Sequence, residues 1–338
     1  MRTALLAAAL AAASASTPGT PEKYHRSVEQ TFLTYPEWFL VSSPAEYAHF
    51  IDGHPPSDFP FFSHIGQFWR SYAAVTRAIG ERHYPNNPGY HVMIVVIGVS
   101  TTVEYTLKAA YETLFGRVTE MLRSGPPTAE DRLAARTAQE YVDFIRVRPW
   151  YEFDFVTPLR RVWTETGALG RDLPRKWERK IALSNEYAAK ALYGWLIMKG
   201  THATYEEEST VTAVVVDRLP RAGPAPDGVQ VLETRPDASA LVLLPRYAAF
   251  TEKATALARG GATFREIAGN DSVILVSVLG PSEAPLASLG FPVLFTDPIL
   301  TEPGRRRVVL VVPVTRLAEA LVRFAQPPSS VVEHVYDY

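Results

Sequence analysis

Apolar residues recur at helical spacing through roughly the first 200 positions of the chain, and after about residue 210 they gather into short β-branched runs. Ser43-Pro44-Ala45-Glu46 has the residue types of a capping box with Pro at the first helical position, which predicts a short helix ending at Asp52-Gly53. From Ser63 onward, Ile65, Phe68, Trp69, Tyr72, Val75 and Ile79 share one helical face. Asn87-Pro88 opens a long segment that runs to Arg123 and stops at Ser124-Gly125-Pro126-Pro127. Thr128 with Asp131 starts another helix, and Pro174 to Lys199 follows, with Gly200 where a terminating glycine belongs. Inside the long segment, Tyr90 to Val103 holds no Asp, Glu, Lys or Arg. A membrane span needs about 20 such residues. Glu104 and Lys108 interrupt the run too soon, so it predicts the central buried helix of a bundle, apolar nearly all round.

The later runs read as strands: Thr210–Val216, Ala240–Leu244, Ala262–Ala268, Val273–Val278, Val293–Phe295, Val308–Val312 and Val331–Tyr336. Two of them, ending at Pro245 and Pro313, each pass into an amphipathic helical stripe and then a further strand. Two strand–helix–strand units predict a ferredoxin-like, split βαβ domain able to form its own core. The fold class is therefore α+β: a mainly helical, Arg- and aromatic-rich domain over residues 16–205, then a ferredoxin-like domain over 210–338.

The start of the chain changes this picture only at its edge. Arg2, the apolar run Ala4 to Ala13 and the small residues Ala13-Ser14-Ala15 have the layout of a secretory signal peptide over residues 1–15. That predicts an exported protein, periplasmic or extracellular and peripheral to a membrane. The chain has 338 residues and no cysteine, which excludes disulfides, thiolate metal sites and a lipidated cysteine. Its formal net charge of −2 gives no global electrostatic footprint for nucleic acid.

Candidate chemistry comes from an internal echo. Glu104-Tyr105-Thr106-Leu107-Lys108-Ala109-Ala110-Tyr111 and Glu186-Tyr187-Ala188-Ala189-Lys190-Ala191-Leu192-Tyr193 both read E-Y-x-x-K-A-x-Y. On helices, Glu104, Lys108 and Tyr111 share a face, as do Glu186, Lys190 and Tyr193. Turned toward each other they form either a structural ion-pair cluster or an acid–base site. Solvent between them would favour the enzyme, and a dry paired cluster the scaffold.

Two other features carry less. His49, Asp52, His54, Asp58 and His64 fall in one stretch, but their spacing matches no defined metal motif, so no metal and no cofactor are expected. Arg146 to Lys180 interleaves basic and aromatic residues, a mixture suited to a protein partner or an anionic membrane surface. The expectation from sequence is a non-enzymatic binding or scaffold protein of the cell envelope, with catalysis by the Glu/Lys/Tyr faces as the alternative.

Overall fold

The computed structural model describes residues 19–201, 210–219, 227–326 and 329–337; the expected signal peptide lies outside them. Helices come first. α1 spans Gln30–Gly53, α2 Phe61–Glu81 and α3 Pro88–Tyr111. A π-helical turn, Glu112–Gly116, joins α3 to the short α4, Arg117–Met121. α5 covers Ala129–Ile145, α6 Val156–Thr164 and α7 Leu173–Thr201.

Capping explains two of these starts. The Asn87 side chain accepts a hydrogen bond from the Tyr90 amide at 3.1 Å, with Pro88 at the first helical position. Thr128 and Asp131 cap each other reciprocally, each side chain bonding the other's backbone N–H. The Ser43 motif does not start a helix: it lies in the middle of α1, which runs on through Pro36 and Pro44. The Ser43 hydroxyl is spent on His64 and Tyr105 rather than on its own backbone. Gly200 likewise lies within α7 rather than beyond its end.

The sheet region consists of two four-stranded antiparallel sheets of the same plan. The first holds β1 (Val211–Asp217), β2 (Gln230–Thr234), β3 (Ser239–Pro245) and β4 (Thr263–Ile267), with α8 (Ala248–Arg259) between β3 and β4. Its spatial order is β2-β3-β1-β4. The second holds β5 (Val273–Pro281), β6 (Val293–Pro298), β7 (Arg305–Pro313) and β8 (Val331–Val335), with α9 (Leu317–Phe324) before β8 and the order β6-β7-β5-β8. β3 and β4 are both antiparallel to β1, so they run parallel to each other around it. Each half thus contains one split βαβ unit. The two units expected to share a single sheet build two separate sheets instead.

One apolar core unites the inner faces of both sheets with α8 and α9, through Val214, Val242, Phe250, Leu257, Val276, Leu310 and Leu321. The opposite face of the second sheet, Leu275, Val309 and Val311, packs on Phe32, Leu33, Tyr35 and Trp38 of α1. That joint is also hydrogen-bonded: buried Thr31 accepts from the Leu275 amide at 3.0 Å and donates to the Tyr336 carbonyl at 2.7 Å. The sheet region therefore keeps a core of its own and shares a second apolar cluster with the helical region.

Candidate functional site

α3 and α7 run antiparallel, so the two E-Y-x-x-K-A-x-Y segments meet head to tail. Spacing of four residues puts each Glu and Lys on one helical face. The Lys108 Nζ lies 2.8 Å from Glu186 Oε1 and 3.3 Å from Glu104 Oε1. The Lys190 Nζ lies 3.1 Å from each of the same two oxygens. Each Oε1 is shared by two ammonium groups, which closes a four-membered ring of alternating charge.

The ring borders a cavity of about 90 Å³ between α1, α3, α5 and α7. Its walls are largely aromatic: Phe39, Tyr47, Tyr105, Tyr141, Phe155 and Tyr187. Solvent-sized space reaches the ring, leaving 41% of the Glu104 side chain and 26% of Glu186 open. The lysines also lie against rings, Lys108 over Tyr47 at 5.1 Å and Lys190 over Tyr141 at 5.3 Å.

Ionisation follows from two opposing effects. Burial pushes both carboxyls up, but Lys190 and Lys108 outweigh it and hold Glu104 below the usual carboxylate range. Glu186 is driven further down by the same balance, with Lys108 the nearer partner. Burial would lower the lysines, yet Glu186 and Glu104 hold both above the ordinary ammonium value. At neutral pH the ring is two anions and two cations, with no net charge.

Tyr111 and Tyr193 do not join it. The Tyr111 hydroxyl donates to the Glu178 carbonyl at 3.2 Å, and the half-exposed Tyr193 packs on Trp150 at 5.4 Å between ring centroids. The phenols at the cavity are those of Tyr105 and Tyr187, one residue after each Glu in the repeated motif, and of Tyr47 and Tyr141. The motif itself carried the signal for the first two. Tyr47 and Tyr141 come from helices the motif does not include.

Next to the ring lies a second ionic network. Arg179 grips Glu112 through two parallel bonds of 2.9 and 3.0 Å, and Arg175 bonds Asp131 at 2.8 Å. A Cβ at Gly116, one turn along from Glu112, would come 2.0 Å from Glu112 Oε2, so only glycine lets that carboxylate reach Arg179. The Lys180 ammonium donates to the carbonyls of Val162 and Thr166, each at 2.9 Å. Arg175, Arg179 and Lys180 are thus buried structural groups, although they belong to the basic and aromatic segment expected to face a partner. Trp163 and Trp177 of that segment do remain on the surface.

A third cluster ties the helices to the second sheet. The Ser43 hydroxyl lies 2.9 Å from His64 Nδ1 and 2.7 Å from the Tyr105 hydroxyl. Glu46 is 3.6 Å from His64 Nε2 and 3.1 Å from Arg307, which also holds Glu333. Ser, His and Glu together suggest a nucleophile triad, but the geometry does not support one. Ser43 is fully buried, it is not among the residues lining the cavity, and 3.6 Å is too long for a hydrogen bond. Burial, and then the charge of Arg307, push His64 down to about 3, so it is neutral.

The remaining early histidines are dispersed: His49 faces Glu302 at 3.9 Å, and His54 stacks on Phe50 at 4.5 Å. Among the described residues no three His, Asp or Glu side chains gather as a metal-binding group.

The outer surface of α3 and α7 is unusual. On α3 and the π-helical turn that follows it the inward residues are Ile94, Gly98, Thr101, Tyr105, Ala109 and Glu112, mostly small or polar. Its outward residues are Val92, Val96, Val99, Val103 and Leu107, each more than half exposed. A helix facing water normally does the opposite. α7 repeats the inversion, with Arg175, Arg179 and Lys180 inside and Ile181, Leu192, Trp195 and Leu196 outside. Among the described residues one helix, Pro88–Met121, is long and apolar enough to cross a membrane, and only 28% of its most apolar window is buried. The stretch expected at the centre of a bundle therefore lies at its edge. The reason is that its charged continuation, Glu104 and Lys108, turns inward to the ring and leaves the valines outside.

Comparison with family models, with curated proteins and with solved structures finds no match to this chain.

Proposed function

We propose that this is a non-enzymatic binding or scaffold protein of the cell envelope that rests on a lipid surface through the outer faces of α3 and α7. The observation that carries the reading is the inverted polarity of those two helices: their charges close into the ring and their apolar residues face out. Exposed large apolar residues concentrated on two neighbouring helices mark an interaction site. Three features favour lipid over a protein partner. Trp177 and Trp195 are both exposed on α7 and 18 residues apart, ~27 Å at the helical rise. Basic residues stand at the two ends of the strip, Lys199 at one and Arg117 at the other. No charged side chain of α3 lies on the outer face between them.

The contact lies on one side of the molecule only. α5 exposes Arg132, Arg136, Glu140 and Asp143, which a position within the bilayer would strand in hydrocarbon. The strip therefore lies in the plane of the interface, about 5–10 Å deep, and does not span the membrane. We read each half of the sheet region as a ferredoxin-like sheet whose first crossover carries no α-helix among the described residues. The strand order supports this, and these sheets would present the binding surface to the aqueous side.

The cavity beside the ring favours the competing reading, acid–base catalysis. Against it stands the ionisation: general acids and bases work with pKa values near the operating pH, whereas here both carboxyls are driven down and both ammoniums up. The chain has no cysteine, so a single one can be placed and labelled cleanly. An environment-sensitive dye at Val99→Cys should brighten on adding lipid vesicles, and one at Arg136→Cys should not. Equal responses at the two positions, or none at Val99→Cys, would overturn the lipid-facing assignment.

A further inference from the structure

Hydrogen-bonding capacity in the cavity is unevenly spent. Each Lys ammonium of the ring meets both carboxylates and an aromatic face. The acceptors are not used up. Among the described residues nothing donates to Oε2 of Glu104 or of Glu186, and neither oxygen is sealed in protein. The hydroxyls of Tyr47, Tyr141 and Thr101 also line the cavity without a hydrogen-bonding partner among the described residues. This contrasts with Tyr105, whose hydroxyl is committed to Ser43.

These are two strong acceptors and three hydroxyls around a space of about 90 Å³ walled by aromatic rings. At about 30 Å³ of liquid volume per water, that space corresponds to about three waters or a compact organic group of similar size. Charge selects among the candidates. The ring is internally neutral, so a ligand with a net charge would enter without a counter-ion and pay the desolvation cost of burial. A neutral ligand rich in O–H donors meets no such cost. Its hydroxyls reach the carboxylate oxygens through charge-assisted bonds, and its C–H faces lie against the rings.

The geometry points to this cavity as a binding site for a small neutral polyol, held by Glu104, Glu186, Tyr47 and Tyr141. The same chemistry comes free in solution or as the glycerol head of an uncharged lipid. The assignment does not depend on the lipid-facing reading of α3 and α7.

The test is calorimetric titration of the full chain with glycerol and with myo-inositol, set against ethanolamine and acetate as charged probes of similar size. A monoacylglycerol in detergent micelles distinguishes the lipid-borne source from the free one. Saturable binding of a polyol or of the monoacylglycerol is expected, weakened at least tenfold in Tyr47→Phe/Tyr141→Phe. Those substitutions remove two hydroxyls and leave the ring and the aromatic walls in place. Thermal unfolding of the variant confirms that it is folded. The assignment is overturned if ethanolamine or acetate binds more tightly than every polyol, if no neutral probe saturates, or if the folded double variant binds as the parent does.

Discussion

The Lys108 ammonium on α3 lies 2.8 Å from Glu186 on α7, and Lys190 on α7 returns the contact to Glu104 on α3 at 3.1 Å. Because each carboxylate serves both lysines, the ring does not divide into two independent pairs. Glu186→Gln leaves two cations sharing one anion. The expected loss is about 1–3 kcal/mol, between the figure for a sealed pair and that for an exposed one, since the ring is part-open. Lys108→Met/Glu186→Leu removes one charge of each sign and keeps the Glu104–Lys190 contact. It should cost less than the sum of its two single changes. Denaturant unfolding of the three variants measures this, and simple additivity would show that the ring is not one unit.

Thr31 connects the helical and sheet regions at a single buried point. Thr31→Val keeps the shape and removes both bonds, leaving the Leu275 amide and the Tyr336 carbonyl without a partner. A loss of about 1–3 kcal/mol is expected from the stranded groups. The same shared cluster predicts that residues 210–338 alone expose Leu275, Val309 and Val311 and bind a hydrophobic dye. A dye-free, cooperatively unfolding fragment would show that α1 is dispensable to the sheet.

Two buried imidazoles and a buried carboxyl pull stability in opposite directions with pH. Burial holds His334, stacked on Trp38 at 3.7 Å, down to about 3, as it does His64. Depressed histidines contribute stability that is complete above the unfolded value of about 6.5 and is lost as pH falls toward 3. Burial raises Glu46 to about 7 despite Arg307. A raised carboxyl contributes stability that is complete below the ordinary value of about 4.5 and is lost as pH rises through 7. The advantage of Glu46→Gln over the parent should therefore be larger at pH 8 than at pH 5, by thermal unfolding. NMR should show neither His64 nor His334 titrating between those pH values. A pH-independent difference, or an imidazole shift near pH 6, would contradict these environments.

The local signals in the sequence were strong where one residue settles one backbone bond. Asn87 and Thr128 cap as their side chains dictate. Ser43 has the same short polar side chain, but its hydroxyl goes to partners 21 and 62 residues away, which no local pattern reveals. The split βαβ units were legible from strands ending at Pro245 and Pro313. Their separation into two sheets was not, because β2, Gln230–Thr234, is exposed along its whole length and lacks the apolar alternation that marks a strand. With β2 restored, both halves follow one strand–strand–strand–helix–strand plan. At the site, the repeated motif gave the ring's four charged residues, since i,i+4 spacing fixes a face. It could not say that Tyr111 and Tyr193 leave that face for Glu178 and Trp150. Nor could it say which way the valines of α3 point, since that depends on which face the ring occupies.

Lipid flotation tests the central claim most directly. The purified chain is mixed with vesicles of neutral phosphatidylcholine and centrifuged through a density gradient, at low salt and again at high salt. Because the strip on α3 and α7 is uncharged, the protein should rise with the vesicles at both salt concentrations; surface-charge binding would be screened away at the higher one. Val96→Glu/Val99→Glu/Val103→Glu, which puts charge on exposed positions of α3, should stay at the bottom with an unchanged helical circular-dichroism spectrum. A parent chain that stays at the bottom as a monodisperse monomer, or as a dimer that dissociates in the triple variant, would contradict the account.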